Sequence, residues 1–398
     1  MPDSHTLIAT LAIGFAWAFA FGTLAARIGL PTIVGYLLAG IVVGPFTPGF
    51  VADTKLAPQL SEIGVIFLMF GVGLHFSLKD LLSVWRIAVP GAIGQIAVAT
   101  AMGTAAAHFF GWSLAAGIIF GLALSVASTV VLLRALEADD AVATPDGRLA
   151  VGWLVVEDLV MVLALVLLPV FARTGAAGFA SAATLPIIGL ALLKVAIFAG
   201  LMLVVGTRTL PWILGRVDRL HSRELLLLCG LTLALGIAFG AAEIFGVSYA
   251  LGAFLAGVVL NGSPLGHRVA NQLLPFRDAF AVLFFVAVGM AFDPSTLIRQ
   301  PLAMAVTVAI VVIGKSIAAF LIVIALRQPA RGGLRVAAAL AQIGEFSFIL
   351  AAMAVALGVL PVEGQGLILG GALISIVINP LAFKVARALG GHASAATA

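Results

Sequence analysis

Apolar segments of bilayer length follow one another along almost the whole chain, and this succession limits the fold more than any other feature of the sequence. A transmembrane helix needs about 20 predominantly apolar residues. Of the 398 residues, 63% are hydrophobic and 10% are charged, a composition that no soluble domain of this length has. The sequence therefore predicts an all-α polytopic membrane protein.

Breaks at Gly, Pro and charge clusters divide the chain into about thirteen spans. We predict these spans at 6–27, 31–45, 58–75, 86–108, 113–136, 149–171, 184–207, 223–242, 247–261, 277–291, 301–326, 334–357 and 365–388. The second, ninth and tenth are short, so they can cross only if they stand nearly upright or if neighbouring helices shield their ends. No Lys or Arg precedes the first span, so we expect it to be retained, because a signal peptide begins with a basic region.

The Lys and Arg residues fall almost entirely on one side of the predicted membrane. Three follow even-numbered spans (Lys55, Arg173 and Arg299), two lie inside spans (Lys194 and Lys315), and sixteen of the 21 follow odd-numbered spans. Those sixteen are Arg27, Lys79, Arg86, Arg134, Arg148, Arg208, Arg216, Arg219, Arg223, Arg268, Arg277, Arg327, Arg331, Arg335, Lys384 and Arg387. Because cytoplasmic loops carry an excess of Lys and Arg, the sequence predicts a cytoplasmic C-terminus and an external N-terminus in the inner (plasma) membrane.

Two short motifs recur at nearly the same offset in the numbering. Leu38 to Val42 recurs as Leu255 to Val259, and Gly73-Leu74 recurs as Gly289-Met290, with an offset that is shorter by a single position. Each motif recurs seven spans later. Successive spans cross the membrane in opposite directions, so a shift by an odd number of spans inverts the second copy. Inverted repeats are typical of secondary transporters, which bind their substrate near the midplane between the two halves.

This offset predicts three parts of the chain. We expect a first repeat of six spans at 1–183, a linking span with a cytoplasmic loop at 184–222, and a second, inverted repeat of six spans at 223–398. The same offset pairs span five, with Ser125 to Thr129, and span twelve, with Gln342 to Ser347. Paired interrupted helices offer half-helix ends and free carbonyls to an ion. Hydroxyls bonded back to their own helix would explain the Ser and Thr residues equally well, but the mid-span carboxylate of Glu345 favours two broken helices.

Charged residues at mid-membrane depth are the strongest indication of function. Glu157 and Asp158 interrupt the sixth span, and Lys315 interrupts the eleventh. Each such charge costs roughly 2.5–3.5 kcal/mol even on the mildest insertion scale, and such residues usually mark ion or proton paths. We therefore predict a cation and proton site at the carboxylate pair. Lys194, on the linking span, has the simpler interpretation of a snorkelling or dimer-interface residue.

The candidate ligands of a hard alkali cation, K⁺ or Na⁺, are oxygen atoms of Asp158, Ser128 and Thr129. Glu157 lies about 100° round the helix from Asp158, so the two side chains cannot point at one ion. Glu157 is therefore expected to face Lys315 as a buried pair, although both acids could instead line one cavity. Glu345 would balance the positive half-helix ends at the crossover or serve as a structural charge.

Three segments resemble the cation/proton antiporter-2 superfamily, especially its Kef-type potassium efflux branch. They are 35–45, beginning Gly35-Tyr36-Leu37-Leu38-Ala39-Gly40; 276–290, from Phe276-Arg277-Asp278 to Val288-Gly289-Met290; and 342–348, Gln342-Ile343-Gly344-Glu345-Phe346-Ser347-Phe348. The resemblance implies a sodium/proton-antiporter-like fold, a homodimer, and a mobile core in which broken spans five and twelve cross. It also implies that Asp158 is the ion carboxylate and that Lys315, Glu345 and Gln342 are charged or polar partners in the core.

The chain departs from the Kef-type pattern at two places. Those systems have Gln before the aspartate, where this chain has Glu157, a paired-acid pattern that resembles electrogenic sodium/proton antiporters. They also carry a C-terminal nucleotide-binding regulatory domain, and this chain ends at Ala398, ten residues after the last predicted span. We therefore expect no such domain here and leave open a separate cytoplasmic regulatory domain or subunit.

The sequence indicates a monovalent cation/proton antiporter, and four other functions are alternatives to it. A cation channel would need a filter motif, a sodium-coupled symporter a second polar cluster for its solute, and an intramembrane aspartyl protease a Gly-x-Gly-Asp segment; the sequence has none of these. A sensor that transports nothing remains an alternative. One cysteine and six scattered histidines form no metal or disulfide motif, so we expect a secondary transporter without a cofactor or nucleic-acid partner.

Overall fold

The computed structural model describes residues 4–48, 51–52, 56–75, 78–142, 144–179, 181, 184–262 and 264–395. The chain is helical along nearly all of this length. Its helices are α1 (Ser4–Arg27), α2 (Thr32–Val43), α3 (Leu56–His75), α4 (Leu78–Phe109), α5 (Leu114–Ser125), α6 (Thr129–Ala138), α7 (Pro145–Phe179), α8 (Leu185–Leu201), α9 (Thr207–Asp218), α10 (Arg223–Phe245), α11 (Tyr249–Asn261), α12 (Pro264–Met290), α13 (Thr296–Arg299), α14 (Pro301–Ala309), α15 (Lys315–Ala325), α16 (Ala330–Ala339), α17 (Glu345–Ala356) and α18 (Val362–Ala395).

Each of the thirteen predicted spans corresponds to a helix or to a pair of helices. Within the described residues, ten segments are long and apolar enough to cross a membrane, and α2, α11 and α17 are shorter apolar helices. Two long spans are continuous through a π-helical turn, Met202–Gly206 between α8 and α9 and Ile310–Gly314 between α14 and α15. The prediction of a polytopic all-helical membrane protein is confirmed.

Several predicted boundaries were wrong, and two of them differ from the observed helices by more than ten residues. The tenth span is not short, because α12 begins at Pro264, well before Arg277, and is 27 residues long. The predicted loop after span seven is largely helical, because α9 continues the linking span to Asp218. Leu210 and Leu214 of α9 are buried and fix one face of that helix against its neighbours, so tertiary packing overrides the polar composition. Lys55, one of the three Lys and Arg residues assigned to the external side, lies outside the described residues.

The helices form two bundles. In the first, α1 and α2 pack together, α3 packs against α11 and α12, and α10 packs against α11. In the second, α4 packs against α5, α7 and α15, while α16 and α17 pack against α18. The two broken spans belong to the second bundle. The first bundle supplies the wall that faces them.

Glycines let α2, α3, α11 and α12 approach at backbone distance. A Cβ on Gly40 would collide with Val286 and come 2.8 Å from Gly289 of α12. In the same way, a Cβ on Gly73 would collide with Phe254 and come 3.1 Å from Gly257 of α11. The four glycines belong to the two recurring motifs, in which Gly40 recurs as Gly257 and Gly73 recurs as Gly289. Each glycine of the first half therefore packs against the counterpart of the other one.

Ion pairs join residues that follow different odd-numbered spans. Asp139 pairs with Arg387, Asp146 with Arg335 at 3.1 Å, and Asp218 with Arg268 at 2.9 Å. Each partner is exposed or partly exposed, so these pairs are weak in energy. They nevertheless connect the loop after span five to the loops after spans eleven and thirteen, and the loop after span seven to the loop after span nine. All of these loops follow odd-numbered spans, so the predicted span count places them on the same side of the membrane, where such pairs can form.

Candidate functional site

The two broken helices cross where both lose their regular structure. Span five is interrupted at Val126–Ser128, between α5 and α6, and span twelve between Ala339 and Glu345. A Cβ on Gly344 would collide with the backbone of Ser128, so only glycine permits this crossing. The side chain of Gln342 binds across it, accepting from the Ser128 N–H at 2.8 Å and donating to the Ser128 carbonyl at 3.3 Å.

A buried side-chain donor binds a backbone carbonyl at each break. Gln95 of α4 donates through Nε2 to the Ser125 carbonyl at 3.0 Å, and Lys315 of α15 donates through Nζ to the Gln342 carbonyl at 2.7 Å. Both side chains are fully buried. Ser125 and Gln342 are separated by the same offset as the first residues of the longer recurring motif. The two halves therefore stabilise matching carbonyls, one with a neutral amide and the other with a cation.

Glu157 is fully buried on α7 and is bound to the first break. Its Oε2 accepts from the Ala127 N–H at 2.9 Å, which satisfies a donor in the unwound segment. Glu157 and Lys315 lie close enough for their charges to attract, yet they form no salt bridge among the pairs of the described residues. The predicted pair is therefore one of neighbouring buried charges without a direct contact. Glu157 binds the Ala127 N–H and Lys315 binds the Gln342 carbonyl.

Glu345 begins α17 and faces the N-terminal end of α6 at Ser128 and Thr129. It is 1% exposed, and neither carboxylate oxygen has a hydrogen-bond partner of normal geometry in the part of the chain that the structure describes. The N-terminal ends of α6 and α17 carry positive partial charge. A carboxylate between them would offset both, and this role and that of a structural charge both remain predictions.

Asp158 lies at the inner end of a cavity of about 540 Å³ between the two bundles. Its Oδ2 accepts from the Thr129 hydroxyl at 3.2 Å, while Oδ1 has no hydrogen-bond partner within the described residues. The carboxylate is 5% exposed. Residues of α2 and α12 also line the cavity. Arg134, Glu137 and Asp278 are exposed members of the lining, which places the mouth near them.

The predicted site residues separate into two groups. Asp158 and Thr129 line the cavity. Glu157, Ser128, Gln342, Lys315 and Glu345 surround the crossover behind it and do not appear in the cavity wall. Ser128 caps α6, where its Oγ accepts from the Val131 N–H at 3.3 Å. Its expected role as an ion ligand is not supported by this position, because a capping hydroxyl is committed to the helix.

Sequence reasoning did not identify Gln95, Asn379 or the charged cavity mouth. Gln95 and Asn379 are polar residues within apolar helices, and Asn379 donates to the Ala338 carbonyl at 2.9 Å. Their mid-span position was the signal that could have identified them. Asp278 was noted only as part of a motif, because nothing in the sequence shows that α12 begins early enough to place it beside a cavity.

Comparison with known proteins adds the family context. Residues 15–386 match the family model described as sodium/hydrogen exchanger, transmembrane. The YbaL protein of Escherichia coli strain K12, whose proposed activity is cation/proton antiport, is 58% identical over 386 residues, which cover 97% of this chain and 69% of YbaL. K⁺ efflux antiporter 4 of Arabidopsis thaliana is 32% identical, with 96% of this chain and 64% of that protein covered.

A solved structure shares the fold. The sodium proton antiporter MjNhaP1 of Methanocaldococcus jannaschii superimposes with a TM-score of 0.72 over 97% of this chain and 100% of that chain. The identity between the two sequences is 17%. The likeness therefore concerns the helical architecture alone.

Proposed function

We infer that this chain, which belongs to the transmembrane sodium/hydrogen exchanger family, exchanges a monovalent cation for protons through a single carboxylate site at Asp158. The relatives named above are cation/proton and K⁺ efflux antiporters, which supports antiport. They give no support to the channel or symporter alternatives. The chain acts in this proposal as a secondary transporter and not as an enzyme.

The observation that carries the proposal is the place of Asp158 in the cavity wall, with a buried Oδ1 that has no hydrogen-bond partner among the described residues. A buried carboxylate is costly to leave charged and unpaired. It is neutral when it holds a proton, and it is compensated when it holds a dehydrated cation. Because both ligands need the same oxygen atoms, each displaces the other, and exchange is obligatory without a separate coupling device.

The first ligands of the cation are proposed to be Asp158 and the Thr129 hydroxyl. With a cation bound, Thr129 can turn its Oγ1 lone pairs to the ion instead of donating to Oδ2. The remaining oxygens would come from cavity water. Glu157 stays bound to the first break, with its charge near Lys315, and contributes to the charge of the core without touching the ion.

Transport in this proposal follows from movement of the second bundle against the first. The cavity lies between the bundles, so their relative motion would close it and expose Asp158 on the other side. We propose a homodimer in the inner (plasma) membrane, with the N-terminus outside and the C-terminus in the cytoplasm. The 16 to 3 distribution of Lys and Arg supports that orientation, and the ion pairs between odd loops support the span order on which it depends.

The test is exchange by purified protein in proteoliposomes. A pH-sensitive dye inside the vesicles reports proton movement after K⁺, Na⁺, Rb⁺ or Li⁺ is added separately. We expect a cation-dependent signal with K⁺ or Na⁺, and the comparison of the four ions identifies the substrate. Absence of a signal with every cation, from folded protein over a wide pH range, would overturn the proposal.

A further inference from the structure

The repeat extends beyond the glycine motifs to two carboxylates. When α3 is aligned with α12 so that Gly73 matches Gly289, an alignment called here the repeat register, Glu62 matches Asp278. Asp278 stands at the wall of the cavity that leads to Asp158. Glu62 is an exposed carboxylate in the N-terminal part of the largely apolar α3. Neither the proposed exchange nor the fold gives Glu62 a role.

The contacts of α3 and α12 have the symmetry of an inverted repeat. A Cβ on Gly64 would lie 2.6 Å from the carbonyl of Phe280, its own match in the repeat register, and one on Gly71 would lie 2.5 Å from the Arg277 side chain. Higher numbers on α3 therefore meet lower numbers on α12, and the helices run antiparallel. Gly64 contacts Phe280, the residue that corresponds to it in the other half. Such a contact places the two residues beside a pseudo-two-fold axis, as expected for inverted repeats.

The present cavity is lined by residues of these two helices that do not match each other in the repeat register. From α12 it is lined by Arg277, Asp278, Ala281, Val282 and Phe285, whereas α3 contributes Leu68, Gly71 and Val72 from its C-terminal half. Exchanging the repeats converts the α12 set into Ser61, Glu62, Val65, Ile66 and Met69 of α3. Val65, Ile66 and Met69 are buried in this conformation, at 8%, 7% and 0% exposure.

On the second bundle, the counterpart of a cavity-lining residue is polar but buried. Thr129, which lines the present cavity, is the first residue of α6, and Glu345 is the first residue of α17, so each begins the second helix of its broken span. Glu345 and the nearby Ser347 are buried, and their side-chain oxygens have no hydrogen-bond partner of normal geometry among the described residues. Unpartnered buried oxygens are costly in a closed apolar setting. Water entering from the opposite side would satisfy them.

We propose that Glu62 marks the mouth of a second route to Asp158, open in the outward-facing conformation, and that Val65 and Met69 form its wall. The proposal rests on the exchange function proposed above and assigns residues to the half of the cycle that this structure does not display. Glu62 would attract cations to the outer mouth, since a carboxylate near a narrow opening raises the local cation concentration. Its match Asp278 is paired with Arg277 at 2.8 Å, whereas the residue that matches Arg277 is the neutral Ser61.

Accessibility of engineered cysteines tests the route without requiring transport. Cys229 is the only cysteine, so Cys229→Ser gives a cysteine-free background. In that background, Val65→Cys and Met69→Cys should react with a membrane-impermeant maleimide applied to the side opposite the present cavity. Their matches, Ala281→Cys and Phe285→Cys, should react from the cavity side.

Phe67→Cys and Phe70→Cys are the matched controls. Both are buried, at 3% and 1% exposure, and their matches Leu283 and Val286 do not line the cavity. We expect Val65→Cys and Met69→Cys to react at least about ten-fold faster than these controls. Equal rates, or reaction only from the cavity side, in a protein that still exchanges ions would overturn this proposal and leave the exchange function standing. Correct labelling in a protein without exchange would overturn the function instead.

Sided transport tests the role of Glu62 itself. In right-side-out vesicles, Glu62→Gln should raise the external cation concentration that gives half-maximal exchange by about two- to five-fold, the range of one partly screened charge. Glu62→Asp should restore the wild-type value, and Glu363→Gln, which removes another exposed carboxylate, should change nothing. The effect should be absent when cation is added at the cavity side. An unchanged external value in Glu62→Gln, or equal changes from both sides, would refute it.

Discussion

At the scale of single residues, the two oxygens of Asp158 have different surroundings. Oδ2 is held by Thr129, and Oδ1 is free within the described residues, on a side chain that lines the cavity. In this conformation the Thr129 bond orients the side chain, and Oδ1 is left for a proton or a cation. That is the property which a competitive cation and proton site requires.

Replacing Asp158 with Asn is expected to abolish exchange while the protein remains folded. The amide keeps the shape of the side chain and its contact with Thr129, but it can neither compensate a cation nor release a proton. The measurement is the dye signal in proteoliposomes, together with the thermal melting temperature. Asp293→Asn, at a partly exposed acid outside the cavity wall, is the control and should exchange normally. Substantial exchange by folded Asp158→Asn would contradict the assignment.

Glu157→Gln is expected to keep exchange but to lower stability by roughly 1–3 kcal/mol. The Gln carbonyl can still accept from the Ala127 N–H, whereas Lys315 loses the nearby negative charge. The charge moved per cycle should also change, because one ionisable group of the core has gone. Currents on a solid-supported membrane, measured beside dye exchange, test this. Complete loss of exchange in a stable variant would place Glu157 in the ion site itself.

At the scale of helices, the crossing of the two broken spans depends on one small residue. Gly344→Ala would push a Cβ into the Ser128 backbone, and overpacking of this kind costs about 1–3 kcal/mol. We expect a lower melting temperature and weak or absent exchange. Gly236→Ala on α10 is the matched control, because its Cβ would meet open space. Equal melting temperatures for the two variants would show that the crossing tolerates a side chain.

The sequence predicted these helices because each break carries its own polar signal. Ser125 to Thr129 and Gln342 to Ser347 stand out against apolar neighbours, and the structure places both at the crossover. The start of α12 was missed because Pro264 to Phe276 mixes polar and apolar residues. Val269 and Leu273 of that segment are buried in the core, and this packing stabilises it as a helix. Long-range contacts of this kind leave no local pattern.

The sequence identified most residues of the candidate site but not the groups that they bind. Buried ionisable residues are rare enough in apolar spans to identify Glu157, Asp158, Lys315 and Glu345 directly. Which groups they bind depends on where unwound backbone donors and carbonyls lie. Lys315 binds the Gln342 carbonyl where a partnership with Glu157 was expected, because a carbonyl at a helix break needs a donor and lies within its reach.

At the scale of the whole molecule, the charge distribution and the ion pairs bear on different questions. The pairs Asp139–Arg387, Asp146–Arg335 and Asp218–Arg268 each join one odd loop to another, as loops on the same side can, but they do not say which compartment that side faces. The Lys and Arg excess supplies the direction, since positively charged loops are retained in the cytoplasm. The predicted orientation therefore depends on a correct count of the spans. One uncounted helix would reverse the predicted side of every loop that follows it.

A reporter that is active only in the cytoplasm, fused after Ala398, is expected to be active. A second fusion after Arg219, beyond α9, should be active as well, because both points follow odd-numbered spans. A fusion after Gly358, beyond α17, should be inactive, because it follows the twelfth span. The protein level of each fusion, measured by immunoblot, is the control for expression. Activity at Gly358 with silence at Ala398 would invert the topology, and it would move the mouth at Glu62 to the cytoplasmic side.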